Sequence, residues 1–145
     1  MLRSAIIVST LVLSVACTDT TQAHHENDES KAFVYQYEPV VSTLTGTLTT
    51  QVYWGPPNYG EDTTMDERET EYILVLDKAI SISKPDSDLS DGYNAAIANV
   101  KQLQIVHSQK LDAYVHKKVK AVGSLFGAQT GHHHTDVLLD LKSIR

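Results

Sequence analysis

The stretch 117–144, KKVKAVGSLFGAQTGHHHTDVLLDLKSI, constrains the fold most. Val119 and Ala121 alternate with Lys118 and Lys120, before Val122, Leu125 and Phe126 add apolar weight. After a glycine-bearing connection, Val137, Leu139 and Leu141 alternate with Asp136, Asp140 and Lys142, and Leu138 breaks strict polarity. Successive side chains on a strand point to opposite faces, so a period of two predicts two strands, each with one face buried. Gly127 and Gly131 bracket the connection, where positive φ is expected to suit glycine. The chain therefore closes on a hairpin whose mouth carries His132, His133 and His134.

The rest of the chain supplies strands for that hairpin to pair with. Residues 33–37, FVYQY, form a short extended piece closed by Pro39, which suits a sheet edge. Residues 40–53, VVSTLTGTLTTQVY, read as a long strand in which Gly46 marks a bulge or the bend of a small barrel. Trp54 and the GPPNYG run must leave that strand, because two prolines cannot donate to a ladder. Seventeen residues, 55–71, then form a loop in which Glu61, Asp62, Asp66, Glu67, Glu69 and Glu71 outnumber Arg68 six to one. Loops of that length in compact domains are often functional. Residues 72–82 are a second strong strand, and 84–92 a turn-rich excursion. Residues 95–98 fit a helical turn or a strand lead-in. Residues 100–106 form a third strand through their β-branched content. Residues 108–115, SQKLDAYV, predict a short helix with Ser108 as N-cap and Leu111, Tyr114 and Val115 inward.

The order is strand, long loop, strand, strand, short helix, strand, strand. It resembles the OB-fold, a small five-stranded Greek-key barrel with its helix between the third and fourth strands. The expected class is mainly β, with a split sandwich as the alternative architecture.

The N-terminus reads as a targeting segment. Arg3 precedes an apolar run, residues 5–15, too short to span a bilayer, and Ala16 stands before Cys17, the chain's sole cysteine. This resembles a bacterial lipoprotein signal, which implies cleavage after Ala16 and acylation of Cys17. Thr18 after the cysteine implies the periplasmic face of the outer membrane. Residues 1–16 are thus expected to be a signal peptide, 17–31 a lipidated cysteine and disordered tether, and 32–145 a single β-barrel domain. Losing residues 1–16 removes one base, Arg3, and no acid, so the formal charge moves from −6 to −7. Such a chain suits neither nucleic acid nor an anionic lipid surface, and no basic groove with stacking aromatics is apparent. Acyl chains are the expected membrane attachment.

Five fragments resemble a family of small exported bacterial domains of unknown function. They are GPPNY at 55–59, LDK at 76–78, KKVK at 117–120, GSLF at 123–126 and TGHHHT at 130–135. This chain departs from the pattern at His116, where glycine is expected, and at Ala79, where proline is commoner. The resemblance implies an exported β-rich domain and brings no activity with it.

Chemistry must then be argued from residue types. In an extended segment His132 and His134 project to one side and His133 to the other. Such a pair can chelate Zn²⁺ or Cu²⁺ with a further ligand from elsewhere, for which Glu61, Asp62, His107 and His116 are candidates by type. With no free cysteine the site would be open. The alternative is that the histidines order their loop, against residues 54–59. No nucleophile elbow, phosphate-cradling glycine loop or HExxH helix is present, so no catalysis is expected. The expected function is a lipid-anchored periplasmic binding module with no cofactor, contacting a basic protein partner through Trp54, Asn58, Tyr59, Glu61, Asp62 and His133.

Overall fold

The structure, a computed structural model, describes residues 33–84 and 92–145. The residues expected to form a signal segment and tether, with Cys17, lie outside the described residues, as does most of the turn-rich excursion. The C-terminal hairpin forms as its alternation requires. Strands β5 (Lys118–Gly127) and β6 (Val137–Ile144) pair antiparallel, with Leu125 opposite Leu139 and Gly127 opposite Val137. Their alternating apolar residues, Val119, Ala121, Leu125, Val137, Leu139 and Leu141, are all buried.

Strand β2 (Val41–Trp54) joins this hairpin to β3 (Arg68–Ser83) by pairing antiparallel with both β5 and β3. Gly46 sits in both ladders, opposite Leu76 and Val119. A Cβ there would fall 2.2 Å from the Val75 carbonyl oxygen, so only glycine admits β3 at this bend. Strand β4 (Ile97–Val106) pairs antiparallel with β3 and parallel with β6, which closes a ring in the order β3–β2–β5–β6–β4. Five strands in this ring reproduce the expected OB-like order. The short β1 (Phe33–Gln36) adds a sixth, parallel to β3 at the outer edge. Inside the ring, Leu44, Leu48, Leu74, Leu103, Leu125 and Leu139 are at most 2% exposed and fill the core. Each is worth roughly 1.5–3 kcal/mol of apolar burial.

A second buried layer lies outside the ring. Ile73 stands opposite Gln104, Gln104 opposite Leu138, and Leu138 opposite Phe126. The neighbours of these residues, Leu74, Leu103, Leu139 and Leu125, belong to the inner core, so the row itself faces outward. Even so, Ile73 and Leu138 are 0% exposed and Gln104 3%. The histidine connection folds back over this row and seals it. Leu138 breaks the alternation of β6 because its strand is covered on both faces there.

Four expectations change. The helix at 108–115 is a single 3₁₀ turn, η1 (Asp112–Tyr114), without a side-chain cap. Leu111 is buried and Tyr114 and Val115 pack half-buried against the core, as expected of the inward side, and Tyr72 pins the turn, its hydroxyl donating to Asp112 and accepting from the Leu111 N–H. The acidic loop is shorter than expected, because residues 68–71 continue β3. At 95–98 the strand lead-in prevails from Ile97 on. Finally, Gly60 is the positive-φ glycine among the described residues, at φ 97°, so Gly127 and Gly131 are present for closeness. A Cβ on Gly127 would lie 1.9 Å from the Tyr93 carbonyl oxygen, and one on Gly131 would lie 2.6 Å from the Tyr59 ring.

Candidate functional site

Beyond the β5 pairing, β2 and β3 run on as a two-stranded arm. Tyr53 stands opposite Glu69 and Gln51 opposite Glu71, so these four side chains share one face, the outward face that also carries Ile73. The other face carries Val52, Thr70, Trp54 and Arg68. There the Arg68 guanidinium lies 3.5 Å from the Trp54 ring centroid, a cation–π contact that settles both side chains away from the carboxylates.

The histidine loop docks on the Glu69 face. Gln104, buried in the covered row, donates from Nε2 to the His132 carbonyl at 2.9 Å and accepts the His134 N–H on Oε1 at 2.7 Å. The Gln104 N–H donates to Thr135 Oγ1, which itself donates to the Val137 carbonyl. Both ends of the histidine pair are therefore held by one amide. From the arm, Glu69 meets the two rings, with Oε1 2.6 Å from His132 Nδ1 and Oε2 3.1 Å from His134 Nε2. A carboxylate only accepts, so each facing ring nitrogen carries the proton. His132 Nε2 lies 3.4 Å from the Tyr59 hydroxyl. The His134 ring stacks on Tyr53 with centroids 4.1 Å apart and planes 2° apart, and its side chain is 10% exposed.

His133 turns the other way. Its ring packs edge-on against Phe126, and its Nδ1 accepts the Gln129 N–H at 2.9 Å. Burial, and then the neighbouring His132 and His134, hold its pKa below the usual histidine value. The Tyr53 hydroxyl is shifted upward by burial and by the charge of Glu71.

The β2–β3 loop, residues 55–67, completes the site from the far side. Asp66 organises it by accepting the N–H groups of Asn58 and Gly60 on separate oxygens, each at 2.7 Å. Asn58 Nδ2 donates to the Asp62 carbonyl, and Asp62 accepts both the hydroxyl and the N–H of Thr64. These bonds from Thr64 lower the Asp62 pKa, the hydroxyl contributing most. Tyr59, in the left-handed region at φ 51°, sets its ring edge-on to His132, with centroids 5.6 Å apart.

The structure thus brings the predicted residues together selectively. Tyr59 meets His132, Trp54 closes the arm, and Glu61 is exposed at the loop surface. Asn58, Asp62 and His133 spend their polar groups on the loops' own hydrogen bonds. His107 and His116 are exposed, with His116 at the entry to β5 and outside this group. Two carboxylates outrank those expected: Glu69, Glu71 and His134 offer ligand atoms that all lie within 4.8 Å of one another. Met65, in the same loop as Tyr59, is 73% exposed and carries no motif that marks it in the sequence. The i, i+2 spacing of Glu69 and Glu71 is the available signal, hidden because the charges at 68–71 read as loop.

With this geometry in hand, comparison with known proteins is brief. The family model described as "Domain of unknown function (DUF4431)" matches residues 102–145. Over that stretch the chain is similar to a small domain family of unknown function. The match takes in Gln104, the histidine loop and both strands of the hairpin, along with the fragments at 117–120, 123–126 and 130–135. Glu69 and the β2–β3 loop lie outside it. Neither a curated protein nor a solved structure shows a significant match.

Proposed function

We propose that the chain is a non-enzymatic binding module, anchored by lipid at Cys17 on the periplasmic face of the outer membrane, that captures a basic protein. A cationic secreted hydrolase or toxin that the module inhibits fits this reading. The observation that carries it is the joining of two loops into one surface through Tyr59 and His132. OB-like rings commonly bind ligands on the face flanked by these two connections. Here the histidine loop has already filled the strand face, which leaves the loop tips as the contact area. Tyr59 is 42% and Met65 73% exposed, and Glu61, Asp62 and Glu67 are exposed near them. Apolar anchors within an acidic rim suit a basic partner, with the charges setting approach and the anchors setting residence.

The test is capture of a cationic envelope or secreted protein by the purified chain at low salt, against a Glu61→Lys/Glu67→Lys variant. Loss of capture in the variant and at high salt supports the reading, and equal capture by both proteins refutes it. A second reading, envelope metal binding, draws on the grouping of Glu69, Glu71 and His134. Zn²⁺ titration tests that reading, and its outcome leaves the capture assay independent.

A further inference from the structure

We infer that Glu69, Glu71 and His134 form a binding site for a single divalent transition-metal ion of the Zn²⁺ type. This inference does not rest on the partner reading, although the two share a face of the molecule.

The donors are placed by regular structure. Glu69 and Glu71 are two residues apart on β3, so they project side by side, and the ladder to β2 fixes their strand. His134 arrives from the opposite side, its backbone held by Gln104 and its ring clamped flat against Tyr53. Prearranged donors of this kind lose little freedom on binding.

The spacing fits one ion. Zn²⁺ sits about 2.0–2.2 Å from nitrogen and carboxylate oxygen, so neighbouring ligand atoms stand about 3.4 Å apart in a tetrahedron and about 3.0 Å apart in an octahedron. Glu69 Oε2 and His134 Nε2 are already 3.1 Å apart. The whole set lies within 4.8 Å, so a small side-chain adjustment by Glu71 completes it. On binding, the His134 ring takes its Nδ1–H tautomer, Nε2 giving its proton to water and Nδ1 taking one from water, so that the Nε2 lone pair faces the ion. The other oxygen of Glu69 stays on His132 Nδ1–H, which orients the carboxylate as outer hydrogen bonds do in metal sites.

Charge points the same way. Two half-buried carboxylates stand together, and the adjacent Arg68 is turned to the other face over Trp54. Imidazole with carboxylates suits Zn²⁺ and its neighbours better than the hard ions Ca²⁺ and Mg²⁺. Three protein ligands leave a position open to water. The site differs from a His132/His134 couple in a way that can be measured: Glu71 is a ligand and His132 is not.

The experiment titrates the purified, tag-free full chain with Zn²⁺ by calorimetry. His24→Ala/His25→Ala serves as the background, so that the second histidine cluster of the sequence does not compete for the ion. One equivalent should bind, and Glu71→Gln and His134→Ala should each weaken it at least tenfold. The loop is anchored through Glu69 and Gln104, so Glu71→Gln should keep the wild-type circular dichroism spectrum and melting behaviour. No binding at 100 µM Zn²⁺ (on the order of a hundred times a useful Kd) overturns the inference. So does binding that Glu71→Gln leaves unchanged, which would return the ion to the histidine couple. Capture of a basic partner would survive either negative result.

Discussion

Gln104→Leu should unfold the histidine loop from the barrel while leaving the inner core intact. The replacement has nearly the same volume and sits in a row already made of Ile73, Leu138 and Phe126, so packing is preserved. What is lost is one amide that holds the loop twice, at 2.9 Å to the His132 carbonyl and 2.7 Å to the His134 N–H. A hydrogen bond contributes about 0.5–1.5 kcal/mol net, and a buried group left unpaired costs about 1–3 kcal/mol. His132 is exposed, so its carbonyl can turn to water, whereas His134 is half-buried and its N–H bears most of the penalty. The total is about 2–4 kcal/mol. For a domain of this size that lowers Tm by about 8–16 °C. Urea unfolding followed by circular dichroism reads the loss, and hydrogen exchange at His134 reads its place. Gln104→Glu adds a check on direction. It keeps the acceptor for His134 but sets a carboxylate against the His132 carbonyl. It should be worse than Leu at neutral pH and recover in part near roughly pH 4–5, where a protonated carboxyl donates again. A loss below about 0.5 kcal/mol for Gln104→Leu would refute the view that this amide holds the loop.

Three further outcomes are expected. His116 lies at φ 63°, a conformation that costs a residue with a Cβ about 1–2 kcal/mol; His116→Gly should therefore be about 1 kcal/mol more stable than His116→Ala by urea midpoint. Asp62 should titrate below 3.8 by NMR and move back up in Thr64→Val, which removes the hydroxyl that lowers it most. Because its folded pKa is the lower one, the loop stability it contributes is present above the unfolded value and is lost as pH falls through the folded one. Gly131→Ala should push the exposed Tyr59 ring off His132, seen as loss of ring–ring contacts by NMR, with a stability change under about 1 kcal/mol.

Period-two alternation exposed the closing hairpin, because each of its strands buries one face, while the glycine inside a long strand marked the bend at Gly46 and the sequence of strands and turns suggested the ring order. The same rule misread what lies outside the ring. Residues 68–71 look like loop because charges occupy both faces of the arm, and nothing local announces that Tyr53 and Gln51 pair opposite Glu69 and Glu71. The Ser108 segment has helical spacing, yet its fixed points are Leu111 in the core, Tyr114 and Val115 half-buried against it, and Tyr72 reaching across from β3, which a 3₁₀ turn satisfies. The same-side placement of His132 and His134 was legible from their spacing. Their partner was not, since Glu69 lies 63 residues away from His132 and Gln104 looks like an ordinary strand glutamine. Even the expectation of glycine at position 116 has a reason in the positive φ found there.

On the reading proposed above, the joined tips of the β2–β3 and histidine loops are where the protein meets its partner. Photo-crosslinking in cells that produce the protein, with a benzophenone side chain at Met65 in one strain and at Lys120 on β5 in another, is the measurement that decides it. The claim predicts one discrete adduct with a basic protein from Met65, weakened by Glu61→Lys/Glu67→Lys and absent from Lys120. No adduct at Met65, or the same adduct from both positions, would contradict it.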